Sequence, residues 1–247
     1  MTAKPRIAFF DFAGCEGDQL QVANLEERLL DILGHVEVVS FREVATRSAE
    51  TYDVAFVEGS ITRPEDIERI KSIRANAGVL VALGACACIG GINCLKNFMA
   101  ENVYREEVYG PSARWYPTAP ARPLKSVVKV DAEIPGCPVD PAEFARVVKE
   151  VLLGKTPWLP DWPVCVECKE AGNICRFEMG RMCLGIITRA GCGACCVTEG
   201  AHCWGCRGLV PGANLDSARI VLDRAGQDRR AVQDLLRFYL GDTAATL

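Results

Sequence analysis

The chain has 247 residues, 49% of them hydrophobic and 24% charged, enough to bury one large core and a smaller one. Its net charge is −4, and with no basic run it offers no electrostatic footprint for nucleic acid. The most apolar stretch, Val79 to Ile92, is broken by glycines and falls short of the roughly 20 residues that span a membrane. Fourteen cysteines against two histidines, His35 and His202, is the departure that needs a chemical explanation.

Disulfides, structural zinc and iron-sulfur clusters are the three candidates. The segment from Met1 runs directly into the apolar Ile7 to Phe12, with no cleavage-site pattern and no twin-arginine pair, which predicts a cytoplasmic protein. A reducing cytosol keeps thiols free, so metal ligation is expected over bridging.

In chain order, Ile7 to Phe12 reads as a buried strand, and Val22, Leu25, Leu29 and Ile32 place one apolar face on a helix from Gln19 to Leu33. Strand-like runs recur at Val36 to Phe41, Val54 to Glu58, Val79 to Leu83 and Val127 to Ile134. Pro64 with Glu65 and Asp66 predicts a helix running to Asn76, and a second helix covers Pro141 to Leu153. The alternation predicts an α/β fold, a flavodoxin-like doubly wound parallel sheet, over residues 1–155. Gly154 to Pro163, with three prolines and two tryptophans, reads as a connection. Residues 156–247 are expected to form a smaller, irregular cysteine-rich iron-sulfur domain that closes with an amphipathic helical pattern over Leu215 to Leu240.

Cys15 follows the first strand, Cys86 the fourth and Cys137 the fifth, each close to a glycine. The carboxyl ends of parallel strands share one edge, so the three thiols are expected to meet there. Singly, each would be an ordinary buried cysteine; together they point to a shared cluster. Cys15-x2-Asp18 has the form of a C-x2-C motif with aspartate at its second position. Asp18 is therefore a candidate oxygen ligand, or alternatively the N-cap of the following helix. Cys88 and Cys94 lie nearby and read as packing residues, either able to supply a fourth ligand. Glu58 reads as a hydrogen-bonded structural carboxylate, with cluster placement or proton carriage as its functional alternative.

Cys165, Cys168, Cys175 and Cys183 form C-x2-C-x6-C-x7-C, and Cys192, Cys196, Cys203 and Cys206 form C-x3-C-x6-C-x2-C. Each quartet suits one cubane; two zinc sites with four cysteines each fit the same spacings. Two adjoining sites beside a third cysteine group favour a redox chain. Cys195 is left over, Trp204 reads as packing that shields a cluster, and His202 reads as a hydrogen-bonding neighbour.

Val57-Glu58-Gly59-Ser60, Gly84-Ala85-Cys86-Ala87, Pro135-Gly136-Cys137-Pro138, Pro163-Val164-Cys165-Val166-Glu167-Cys168, Thr188-Arg189-Ala190-Gly191-Cys192 and Cys203-Trp204-Gly205-Cys206-Arg207-Gly208 together resemble the small subunit of nickel-iron hydrogenases. The similarity is to the short cytoplasmic group that includes sulfhydrogenases and the methanogen type that does not reduce the deazaflavin coenzyme. It implies three iron-sulfur clusters of the 4Fe-4S kind, a nickel-iron large subunit that holds the active site, and a further iron-sulfur or flavin subunit. No catalytic residue would lie in this chain. By the resemblance, Cys15, Cys86 and Cys137 hold the proximal cluster, the quartet ending at Cys206 the medial one and the quartet beginning at Cys165 the distal one. Asp18 departs from the pattern, which has cysteine there, so the proximal cluster could be aspartate-ligated, a 3Fe-4S variant, or closed by another thiol or water. The alternatives are a cluster-bearing subunit of a complex I-like or other hydrogenase-related oxidoreductase without hydrogen activity, and a zinc-stapled binding module.

Overall fold

The computed structural model describes residues 3–43 and 49–241, without the side chains of residues 27–30. It divides into two compact units, Met1–Pro157 and Trp158–Leu247.

The first unit is built on five parallel strands, β1 Arg6–Asp11, β2 Glu37–Ser40, β3 Tyr52–Glu58, β4 Ala77–Leu83 and β5 Ala132–Ile134, in the order β2-β1-β3-β4-β5. This is the flavodoxin-like order, with the connections crossing on both faces. Its helices are α1 Gly17–Ala23, α2 Glu27–His35, α3 Pro64–Asn76, α4 Gly84–Ile89, α5 Glu101–Tyr109 and α6 Pro141–Leu152. Alternate strand residues Ile7, Phe9, Val54, Phe56, Val81, Leu83 and Ile134 meet Phe144, Val147, Val148 and Val151 of α6 in one core. That helical spacing puts its four residues on one face. Phe9 stacks between Phe41 at 4.2 Å and Phe56 at 5.0 Å, measured between ring centroids.

The helix starts follow their side chains. Asp140 accepts from the Glu143 backbone N–H at 2.8 Å ahead of α6, and Asp66 accepts from the Arg63 N–H at 2.9 Å ahead of α3. Two expectations are corrected. The helix over Gln19 to Leu33 is two helices, because the chain turns at Glu26, where φ is +54°, after burying Leu25 with Val22 in the core. Leu29, the next position of that stripe, lies outside the described side chains. The fifth strand is shorter than Val127 to Ile134, because the Asp131 carboxylate takes the Leu80 N–H at 2.9 Å, and ladder pairing starts only at Ala132.

In the second unit, α7 Val164–Glu170, the single turn α8 Cys195–Thr198, α9 Leu215–Arg224 and α10 Arg229–Leu240 are joined by irregular backbone. The amphipathic pattern over Leu215 to Leu240 is likewise two helices. Gly226 has φ +67°, and Asp228 caps α10 by accepting from the Ala231 N–H at 3.1 Å. Val164, Cys183, Ala194, Val197 and Cys203 form a small apolar cluster with Cys168, Phe177 and Cys192 packed against it. Cysteines thus make up much of this core. Among the described residues no helix is long and apolar enough to cross a membrane.

Candidate iron-sulfur sites

At the carboxyl edge of the sheet, the turns after β1 and β3 lie side by side. Ala13 and Ser60 exchange backbone hydrogen bonds of 3.2 and 2.8 Å, and Gly59, at φ +91°, is so close to the Phe12 carbonyl carbon that a Cβ would lie 2.6 Å from it. The turn after β4 is tied to the loop after β5 by the Ala85 N–H, which donates to the Gly136 carbonyl at 2.6 Å. Asp18 joins this set. Its Oδ1 accepts from the Val139 N–H at 2.8 Å, and its Oδ2 rests against Gly84, where a Cβ would come within 1.7 Å of it. Gly84 is therefore glycine because the carboxylate occupies that space.

This arrangement brings Cys15, Asp18, Cys86 and Cys137 together. Burial first, then the negative charge of Cys137, Asp18, Cys15 and Glu58, push the Cys86 thiol up to about 12. Burial and then Glu58 push Asp18 up to about 7. The N-cap reading of Asp18 is overturned. Asp18 lies within the first turn of α1, and Glu58 reaches across from β3 to take the N–H groups of Asp18 at 3.4 Å and Gln19 at 2.9 Å. Burial keeps Glu58 above the usual carboxylate range, while those backbone donors pull it back. Cys88 and Cys94 are buried, and their thiols donate to the carbonyls of Ala82 and Ala121 at 3.5 and 3.4 Å.

One contributor escaped the sequence reading. The Asn93 amide donates to Ala13 O and Ser60 Oγ, both at 2.8 Å, and lies 3.8 Å from Cys86 Sγ. A donor to a ligand sulfur tunes the redox behaviour of whatever that sulfur binds. Nothing local marks it, since the partners of Asn93 are remote in sequence.

In the second unit, Cys165 and Cys168 lie three residues apart on α7 and share a helix face. Burial, followed by Cys183, Cys168 and Cys175, pushes the Cys165 thiol up to about 12, so the first quartet is gathered. Burial and then Cys195 push Cys192 up to about 11, and Cys196 is raised by burial and by Cys195. Burial also raises Cys203, with Cys183 and Cys206 adding to it. The two quartets adjoin at Cys183, whose Sγ accepts from the Cys203 N–H at 3.3 Å. Gly185 lies against both, a Cβ there falling 3.5 Å from Cys165 Sγ and Cys183 Sγ and 3.6 Å from Cys203 Cβ.

His202 and Trp204 have ring centroids 4.1 Å apart, and Trp204 also meets Phe238 at 5.6 Å. Burial and then Arg181 lower the His202 pKa from its ordinary value. Its buried Nε2 has no hydrogen-bond partner among the described residues.

These donor sets fit a polynuclear cationic group. Ligation requires thiolates, and buried, crowded thiols resist ionisation until positive charge arrives to hold it. A set of thiolates joined by one carboxylate is the donor chemistry that iron-sulfur clusters take.

A family model described as NADH ubiquinone oxidoreductase, 20 Kd subunit, matches residues 15–151, which takes in the whole strand-edge site. Over nearly its full length the chain is similar to hydrogenase subunits. It is 33% identical to a subunit of the vhu F420-non-reducing hydrogenase of Methanocaldococcus jannaschii, covering 98% of this chain and 97% of the relative. It is also 33% identical to sulfhydrogenase 2 subunit delta of Pyrococcus furiosus, covering 94% and 98%. Among solved structures it resembles a chain of NAD+-reducing [NiFe]-hydrogenase in the H2-reduced state, with 27% identity and a TM-score of 0.58 over 64% of this chain and 96% of that one. The chain therefore belongs to the 20 Kd subunit family and, within it, to the hydrogenase small subunits that the methanogen and Pyrococcus relatives represent. The cysteine-rich second unit lies beyond the family model and within the hydrogenase likeness, which separates this chain from the complex I-like alternative. The zinc-stapled binding module also gives way to this membership.

In metal-free protein, iodoacetamide labelling of Cys86 and Cys165 is expected to rise about tenfold per pH unit from pH 8 to 10, because raised pKa values keep the thiolate scarce. Mass spectrometry of the labelled peptides checks this, and a plateau near pH 9 would contradict it.

Proposed function

We propose that this chain relays electrons between the nickel-iron site of a large subunit and a further iron-sulfur or flavin subunit, through three iron-sulfur clusters. The observation that carries the reading is that Cys15, Cys86 and Cys137 meet at the strand edge and Cys165, Cys168, Cys175 and Cys183 meet in the second unit, where Cys183 also adjoins Cys203; the second quartet rests on its spacing. The strand-edge site belongs to the domain over residues 1–155, and the quartets to the domain over residues 156–247.

When bound, such clusters supply reversible one-electron chemistry. The protein's part is to hold and insulate them. Cys165, Cys168, Cys175 and Cys183 provide a complete thiolate set for a 4Fe-4S cluster, as do Cys192, Cys196, Cys203 and Cys206. Cys15, Cys86 and Cys137 provide three thiolates for the proximal site, and Asp18 provides the fourth ligand. Three features support Asp18. It replaces the second cysteine of a C-x2-C motif, it is buried beside Cys86, and its ionisation is disfavoured until a cation offsets it. Val139 and Gly84 fix the carboxylate in place. The chain contributes no catalytic residue; hydrogen is handled in the partner.

Under hydrogen, the anaerobically purified native complex is expected to develop the EPR signals of reduced clusters without added dithionite. Reduction by dithionite alone would leave the clusters but remove the hydrogenase reading. For the ligand assignment, Asp18→Cys is expected to lower the midpoint potential of the proximal cluster and change its EPR signal, because thiolate donates more strongly than carboxylate. Spectra and potential identical to the parent's would contradict ligation by Asp18.

A further inference from the structure

Glu167 stands between Cys165 and Cys168 of the first quartet, yet its carboxylate serves the second. Its Oε1 accepts from the Gly191 N–H at 2.7 Å, and its Oε2 lies 3.3 Å from the Ala194 N–H. These two donors flank Cys192. The Ala194 N–H also favours the ionised form of the Cys192 thiol, so the same backbone group bears on a candidate ligand and on a carboxylate. The loop is held on its other side by Arg207, fully buried, whose Nε donates to the Ala190 carbonyl at 2.8 Å. Its backbone is unusual, with φ of +115° at Gly191, +60° at Gly193 and +51° at Ala194, the last a non-glycine residue. Such a conformation persists only where the surroundings impose it.

A backbone N–H aimed at a cluster's ligand sulfur stabilises the added electron and raises the potential; a nearby carboxylate does the reverse. Glu167 does both things in one direction, drawing donors away from Cys192 and adding negative charge beside it. We propose that Glu167 is a positioning residue that fixes the Cys192 loop from within the neighbouring quartet and holds the potential of the Cys192 cluster low. The residue thereby links the ligand set of one cluster to the potential of the next. This rests on the cluster reading above.

The test is an EPR-monitored redox titration of the holo complex, with the two cluster signals assigned through Cys168→Ser and Cys206→Ser. Glu167→Gln keeps the shape, loses the charge and turns an amide N–H2 toward one of the two donors, releasing it to the sulfur. The reduced-to-oxidised ratio of the Cys192 cluster at a fixed potential is expected to rise about tenfold, equivalent to about 59 mV for a one-electron couple, and to exceed any change in the Cys165 cluster. No shift, or an equal shift in both clusters, would overturn the proposal, the latter because a through-space charge alone acts without regard to the loop. If Glu167→Gln does not assemble, Glu167→Asp is read in the same titration. Its carboxylate falls one methylene short, so a rise confined to the Cys192 cluster supports the proposal and a potential equal to the parent's overturns it. The parent is titrated first: absence of cluster signals there would fail the relay reading itself, whereas signals present but unmoved by substitution fail only the role of Glu167.

Discussion

Negative charge crowded into poorly solvated places is the constraint on which this protein depends. Cys86, Cys165, Cys192 and Cys203 are each pushed up by burial and then further by other thiols or carboxylates. Left to themselves such groups stay protonated. A cationic metal-sulfide core would reverse that condition by holding the thiolates. In the second unit Cys183 and Cys203 belong to the apolar cluster itself, with Cys168 and Cys192 packed against it, so ligand residues and core residues overlap.

The first unit meets the same constraint differently. A hydrophobic sheet with its own core, centred on Phe9, Phe56 and Phe144, stands independently of any metal and presents three loops along one edge. Close contacts at Gly59 and Gly84 draw those loops together, and the buried Glu58 replaces a local cap at the start of α1. The rigid scaffold supplies positions, whereas the second unit supplies mainly ligands. Glu167 and Cys183, from the segment of the first quartet, both accept backbone N–H groups from the segment of the second.

Much of this was legible in the sequence. The strand order follows from alternating apolar runs and amphipathic stretches, and cysteine spacing alone proposes the two quartets. Periodicity could not show the break at Glu26, since the stripe from Val22 to Leu25 runs on to Ile32 across it. Nor could it show that Asp131 would use its side chain to claim the Leu80 N–H and delay β5. The placements of Asp18 against Val139, of Asn93 against Cys86, and of Glu167 against Gly191 depend on contacts between segments distant in sequence or on loop geometry, so no local pattern announces them. Asp18 stood out only as a deviation from a motif; its carboxylate's seat over Gly84 gives that deviation a physical setting.

The most direct measurement is iron, acid-labile sulfide and zinc content of the anaerobically purified native complex, with nickel determined in the same sample. Three cubane clusters predict about twelve irons per copy of this chain, a matching amount of labile sulfide, and nickel accompanying the partner subunit. Zinc in place of iron, without labile sulfide, would contradict the relay.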